Sequence, residues 1–217
     1  MVNRTRPRTD RGAGTRDAIM AAAERLYAEH GLSDVSNRQI SEAAGQGNNT
    51  AVSYHFGSKA ALVRAIMTRH GTLVDAVRRR HVEAVGDSDD VRDWVRCLVR
   101  PITEHLSTLG APSWQARCAV QVMTDPLMRV LVTDESLTRE GLRRTLQGLG
   151  RCLRDTVPDD VRRQRGEMAR HLITHTCAER ERVLAEGARE PDMSWERTAD
   201  ALEDALVGLL TAPVLRR

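Results

Sequence analysis

An all-α chain follows from three observations on these 217 residues. Apolar side chains recur at i, i+3, i+4 and i+7 through most of the length. Gly, Pro and Asp/Ser clusters cut that pattern into helix-sized pieces. No stretch shows the sustained period-2 alternation of a half-buried strand, or an Asn-Gly or Asp-Gly hairpin turn between β-branched runs.

Thr15 is placed to cap a first helix carrying Ile19, Ala23, Leu26, Tyr27 and His30, with Gly31 at its end. Ser36 opens the next with Gln39 three residues on, the S-x-x-Q capping box, and Gly45 stands where a left-handed residue ends a helix. Asn48 or Asn49 can cap a short helix running to Phe56. Ser58 can cap a long one from Lys59 to about Val85, closed by Gly86–Asp87–Ser88–Asp89. Further helices fit residues 90–109, 113–123, 126–133, 136–156, 159–187 and 194–211. The breakers between them are Gly110–Pro112, Asp125–Pro126, Val157–Pro158 and Pro191–Asp192.

Composition bounds the function. At 41% hydrophobic and 29% charged the chain is expected to fold as a soluble globule, and no apolar run reaches the roughly 20 residues that span a bilayer. The N-terminus lacks the apolar core of a secretory signal. Cys97, Cys118, Cys152 and Cys177 have no C-x-x-C spacing, so reduced, packed thiols in a cytoplasmic protein are expected. No nucleophile elbow, phosphate-binding glycine loop or H-E-x-x-H motif is present, which argues against an enzyme. His171 and His175 share a helix face but lack the Glu and third ligand of a zinc site, so neither metal nor cofactor is expected.

Charge is unevenly placed. Residues 1–16 carry Arg4, Arg6, Arg8, Arg11 and Arg16 against Asp10, so the chain's net +3 resides there and the remainder is slightly acidic. Residues 1–14 read as a disordered basic arm, serving either as a solubilising tail or as a phosphate-following extension. Every other cation in the chain is Arg except Lys59.

The short helix ending at Phe56 is the sharpest signal. Asn49, Thr50, Ser53, Tyr54 and His55 are polar, uncharged and rich in hydrogen-bonding groups, whereas Ala51, Val52 and Phe56 face inward. Such a helix behind a glycine turn suits a major groove. Residues 15–57 are therefore expected to form a three-helix helix-turn-helix domain, and residues 58–217 a larger helical domain.

The order S-x-R-Q-I-x-x-A-A-G, a short helix ending Y-H-F, then G-S-K-x-x-L resembles the DNA-binding domain of TetR-type (tetracycline-repressor-like) regulators over residues 15–66. The turn Gly45–Asn49 is one residue longer than the usual form, which leaves the register of the short helix open. The resemblance implies DNA contacts by Arg38, base reading by Asn49, Thr50 and Ser53, and phosphate contacts by Tyr54, His55 and Lys59. Packing between helices is the competing reading of Tyr54 and His55.

It also implies a C-terminal domain that dimerises through its last two helices and encloses a small-molecule effector. Trp94, Trp114, Cys118, Gln121 and Met123 are candidate pocket residues, with plain core as the alternative for each. Trp195, Ala199, Leu202, Leu206 and Leu209 form a continuous apolar seam that, with Leu172 and Thr176, could close a homodimer or merely finish the monomer core. The expected partners are double-stranded DNA bearing a pseudo-palindromic operator, a second copy of the chain and an unidentified effector. A helical protein-binding adaptor and a small-molecule enzyme are the alternatives.

Overall fold

The computed structural model describes residues 8–48, 50–187 and 194–214. Among them are ten helices and no strands. They are α1 (Arg8–His30), α2 (Asn37–Ala43), α3 (Ala51–Phe56), α4 (Lys59–Val85), α5 (Val91–Leu109), α6 (Gln115–Thr124), α7 (Pro126–Leu137), α8 (Glu140–Leu153), α9 (Asp159–Ala185) and α10 (Trp195–Thr211).

Breakers and caps set most of these bounds. Ser58 accepts from the Ala61 amide at the start of α4, and Gly86 ends it at φ +61°. Asp90 caps α5, Asp125 caps α7 and Ser194 caps α10. Two boundaries correct the sequence reading. α7 continues to Leu137 rather than ending at 133, and α8 starts at Glu140 rather than at 136. α1 begins at Arg8, not at Thr15, so residues 8–14 are helical rather than part of an unstructured arm. Gly12 and Gly14 weaken a helix by only about 1 kcal/mol each, and the nearest residue that a helix interior excludes is Pro7. Residues 1–7, and the break expected at Pro191–Asp192, lie outside the described residues.

Two apolar cores form. The first gathers Ile19, Ala23 and Tyr27 of α1, Ile40 of α2, Val52 and Phe56 of α3 and Leu62, Val63 and Ile66 of α4. It also takes in Cys118 and Val122 of α6 and Val132 of α7, so the N-terminal unit does not close on itself at residue 57. The second core is built by α5, α8, α9 and α10 around Trp94, Val99, Leu106, Ile173 and Leu206, with Val82 from the far end of α4.

Two buried carboxylates locate the middle helices. Glu181 of α9 accepts from the Ala116 amide at 3.1 Å and the Arg117 amide at 2.9 Å, capping α6 from another element. Asp75 of α4 does the same for α8, accepting from the amides of Gly141 and Leu142. Each replaces a local cap with a tertiary one, and each places its negative charge at the positive end of a helix.

Trp94 lies flat against Gly148 of α8, with its indole N–H donated to the Ser88 carbonyl at 2.8 Å. A β-carbon at position 148 would fall inside the indole's van der Waals envelope. Gly148→Ala is therefore expected to cost about 1–3 kcal/mol by overpacking, seen in thermal unfolding as a melting temperature several degrees lower. Gly150→Ala, which meets nothing within 4 Å, should leave it unchanged or slightly raised.

Candidate nucleic-acid interface and the cavity behind it

The turn between α2 and α3 is built by local hydrogen bonds. The Ser36 amide donates to Gln39 Oε1 at 2.8 Å while Ser36 Oγ accepts from the Gln39 amide, completing the expected box. Gly45 turns the chain at φ +67°. Asn48 Oδ1 then accepts from both the amide and the hydroxyl of Thr50, at 2.9 and 2.7 Å. Asn48 thus braces the start of α3 from two residues back, and Thr50 itself is the N-cap residue. Asn49 lies outside the described residues.

α3 divides cleanly. Ala51, Val52 and Phe56 are buried, whereas Thr50 and Ser53 are exposed and Tyr54 is 84% exposed. His55 is half-buried, its ring edge-on to Tyr54 with centroids 5.1 Å apart. Tyr54 therefore does not pack between helices. Because the Thr50 hydroxyl hydrogen is directed at Asn48, its oxygen lone pairs and methyl group are what it offers outward. Arg38, on the exposed face of α2, is held by Glu42 at 2.8 Å.

Arg16 is a contributor that sequence reasoning missed. From α1 it donates to the His55 carbonyl at 2.6 Å, and its guanidinium sits 4.1 Å from the Phe56 ring centroid. A cation is thereby placed at the C-terminal end of α3, where the helix dipole favours it. The available signal was position: Arg16 falls three and four residues before Ile19 and Met20, on the apolar face of α1.

Lys59 corrects another expectation. Its ammonium points into the protein, donating to the carbonyls of Leu32 and Val35, the latter at 3.0 Å. It also lies 5.5 Å from the Tyr27 ring centroid. Burial pushes its pKa down, opposed by Asp125 and Asp34. Side chains of a helix lean toward its N-terminus, so a lysine in the first turn reaches back to the preceding loop rather than out to solvent. It is a strut between α4 and the α1–α2 connection, not an exposed phosphate contact.

Behind this head lies a cavity of about 200 Å³ bordered by α4 to α9. Met67, His70, Gly71, Val74 and Arg78 of α4 form one wall. None of the five expected pocket residues lines it. α6 turns Gln115, Ala116 and Ala119 to the cavity and Cys118 and Val122 to the first core. Cys118 is fully buried there, and desolvation raises its thiol far above the ordinary range. Gln121 sits beside Gly31, Trp94 is in the second core, and Trp114 and Met123 are half-buried elsewhere.

His70 also belongs to a buried chain of hydrogen bonds. Its Nδ1 is 2.9 Å from His105 Nε2 on α5, and its Nε2 is 2.8 Å from Glu24 Oε2 on α1. His171 and His175 are both exposed on α9. Among the described residues no group of three or more His, Cys, Asp or Glu side chains is placed to hold a metal ion.

The apolar seam of α10 is likewise redirected. Leu202 and Leu206 are buried in the monomer, Leu206 at 0% exposure, against α5 and α9, with Trp195 and Leu209 packed on the same core. Their spacing served the intramolecular contact. Leu172 is partly exposed and Thr176 half-buried. The outward faces carry Met168, 53% exposed, with Leu172 and His175 on α9, and Ala201, Ala205 and Gly208 on α10.

Residues 19–66, the span of the first core from Ile19 to Ile66, match the bacterial regulatory proteins of the tetR family. Over those residues the chain is similar to the tetR family. Two similar proteins are the HTH-type transcriptional repressors AcnR of Corynebacterium efficiens and Corynebacterium glutamicum, 29% and 28% identical over 135 residues. Those matches cover 62% of this chain and 65% of either relative's length. Among solved structures, NalD of Pseudomonas aeruginosa, the secondary repressor of the MexAB-OprM multidrug efflux pump, superposes with a TM-score of 0.54 at 21% identity. That likeness covers 94% of this chain and 98% of NalD. The TetR family regulator PfmR of Thermus thermophilus gives 0.53 at 17% identity, covering 91% and 99%. Both are likenesses of fold, and they extend beyond the head.

Within that TetR-type head, Lys59→Met strips two loop carbonyls of their donor. The expected loss is about 1–3 kcal/mol, measured as a lower midpoint in chemical denaturation. An unchanged midpoint would mean that the ammonium faces solvent.

Proposed function

We propose that this protein is a homodimeric transcriptional repressor that reads double-stranded DNA with α3 and releases it when a small molecule enters the cavity beneath α4. The observation that carries the reading is the outward polar face of α3, with Tyr54 84% exposed, on a helix whose other side is locked into the core by Val52 and Phe56. A helix that only packs gains nothing by displaying Thr50, Ser53 and Tyr54 together, whereas a groove reader needs that set. The names of the AcnR relatives point the same way.

In this reading Thr50 and Ser53 read base edges, with Asn49 beside them in sequence, while Tyr54, His55 and Arg38 fix the head on phosphates. Arg38 must share its charge between Glu42 and the backbone of the duplex. Dimerisation uses the exposed faces of α9 and α10, with Met168 and Leu172 against small residues of α10, as a four-helix bundle about a two-fold axis. Two-fold symmetry then calls for a pseudo-palindromic operator with half-sites about 34–36 Å apart.

Release follows from α4. Its first turn holds the loop before α2 through Lys59, and its middle lines the cavity. An effector that tilts α4 moves both heads off groove spacing, and DNA must weaken effector binding by the same factor. Among the described residues no helix is long and apolar enough to cross a membrane, and the proposed workplace is the cytoplasm, with the DNA.

Selection of bound fragments from a random duplex pool tests the reading, since it reports DNA binding, palindromy and spacing together. On the selected site, Tyr54→Ala is expected to weaken all sequences alike, whereas Thr50→Ala and Ser53→Ala change preference at particular base pairs by about 1–3 kcal/mol. Lys59→Met should leave the slope of log affinity against log salt unchanged, because a phosphate contact is worth about 0.9 of that slope. Failure to enrich any duplex would end the proposal. For the dimer, Met168→Glu with Leu172→Glu is expected to give a folded monomer by sedimentation, with a melting temperature that is lower and no longer rises with protein concentration, and to lose operator affinity. A double variant that still sediments as a dimer places the interface elsewhere.

A further inference from the structure

The chemistry of the cavity says more than its position. Most of its wall is aliphatic, including Met67, Val74, Ile102, Leu106 and Ile173. Two arginines, Arg78 and Arg139, stand in that wall, and among the described residues that line it none carries a carboxylate. The acids that face these arginines lie behind them. Asp75 is 3.7 Å from Arg78 Nη1 but already accepts from two amides at the start of α8. Glu135 is shared among Arg139, Arg64 and Thr68.

Arg78 is only 5% exposed. It donates from Nε to the Cys97 carbonyl at 3.1 Å, and burial draws its pKa down to about 10 against the pull of Asp75. A charge so placed is incompletely compensated. Arg139 reaches the wall across Gly71, where a β-carbon would stand 2.6 Å from its Cζ, and it is steadied by Ser136 Oγ at 2.9 Å. Glycine at position 71 is thus what admits the second guanidinium. As for size, a cavity of roughly 150 Å³ holds benzene, so about 200 Å³ accommodates a ring or short chain with one small polar head.

We infer that the cavity takes a small amphipathic carboxylate, with its apolar body among the aliphatic side chains of α4, α5 and α9 and its carboxylate between Arg78 and Arg139. This rests on reading the cavity as the effector site. A guanidinium fork fits a carboxylate with paired, charge-assisted hydrogen bonds. An amphipathic amine would meet two like charges with no acid on the wall. A neutral ligand would leave the buried cation as it is.

Titration calorimetry of the full chain with phenylacetate, phenylacetamide and phenethylamine tests this, because the three share a body and differ in charge. Phenylacetate is expected to bind roughly tenfold or more tighter than the amide, and the amine not at all. Arg139→Gln should reduce phenylacetate affinity about tenfold without changing that of the amide. Gly71→Ala keeps the charge but displaces the guanidinium, and should have the same selective effect; it serves if Arg139→Gln fails to fold. Ala119→Phe, filling the cavity from α6, should abolish binding of phenylacetate. Equal or tighter binding of the amide or amine overturns the inference. So does the absence of phenylacetate heat at millimolar concentration, or indifference of phenylacetate to all three variants. Failure to bind any duplex, with phenylacetate still preferred, would remove the repressor reading and leave this site. Duplex binding with the amine preferred would do the reverse.

Discussion

Membership of α4 in two cores at once is the constraint on which the rest of this molecule depends. Leu62, Val63 and Ile66 at one end complete the interior of the N-terminal unit, and Val82 at the other joins the interior of the larger one. The 27 residues between are a single helix with no proline, so the ends cannot move independently without breaking backbone hydrogen bonds. Gly71 lies in its middle, where the missing β-carbon leaves room for the close approach of Arg139. Any change in the angle of α4 is therefore felt by α3, which packs against its first turns.

Charge, rather than apolar packing alone, locates the helices that surround the cavity. Aliphatic contacts fix the distance between two helices but tolerate sliding, because dispersion is weak per contact and non-directional. The tertiary caps supplied by Glu181 and Asp75 do not tolerate it. A shift by one residue would leave two amides and a carboxylate buried without partners, a penalty of several kcal/mol. α6 is thus keyed to α9 and α8 to α4, and the cavity between them persists because its frame is polar and its wall is apolar.

The parts legible in the sequence are those decided within one helix. Ser36 with Gln39, Ser58 before Ala61, and the glycines at 45 and 86 each act over three or four residues, and the bounds of α2 and α4 follow from them to within a residue or two. The division of α3 into a Val52–Phe56 side and a Thr50–Ser53–Tyr54 side is equally local. What could not be read is the identity of the partner. Periodicity gives the direction in which Leu202 and Leu206 point relative to one another, but not whether α5 or a second copy lies there. For the same reason α6 offered Cys118 and Gln121 as pocket candidates, although its cavity side is the Gln115–Ala119 face, one-third of a turn away. Lys59 was misdirected by chemistry: a lone cation beside a DNA-reading helix suggests phosphate, while the loop carbonyls that hold it come from residues 24 and 27 positions earlier.

The chain Glu24–His70–His105 shows how the cavity and the head are physically joined. Burial, and then the neighbouring His70, bring the His105 pKa down to about 4, so this imidazole is neutral at ordinary pH. Glu24 accepts from His70 Nε2, and His70 Nδ1 either accepts from His105 or, if His70 is protonated, donates to it. Either arrangement satisfies all three groups, whereas protons on both imidazoles would set N–H against N–H across 2.9 Å. α1, α4 and α5 are therefore held together through one side chain that also lines the cavity. Moving α4 relative to α1 would leave a largely buried carboxylate and an imidazole without partners, unless the two helices travel as a unit. The head and the cavity wall are in this sense one body, and anything that displaces the wall displaces the surface that carries Tyr54.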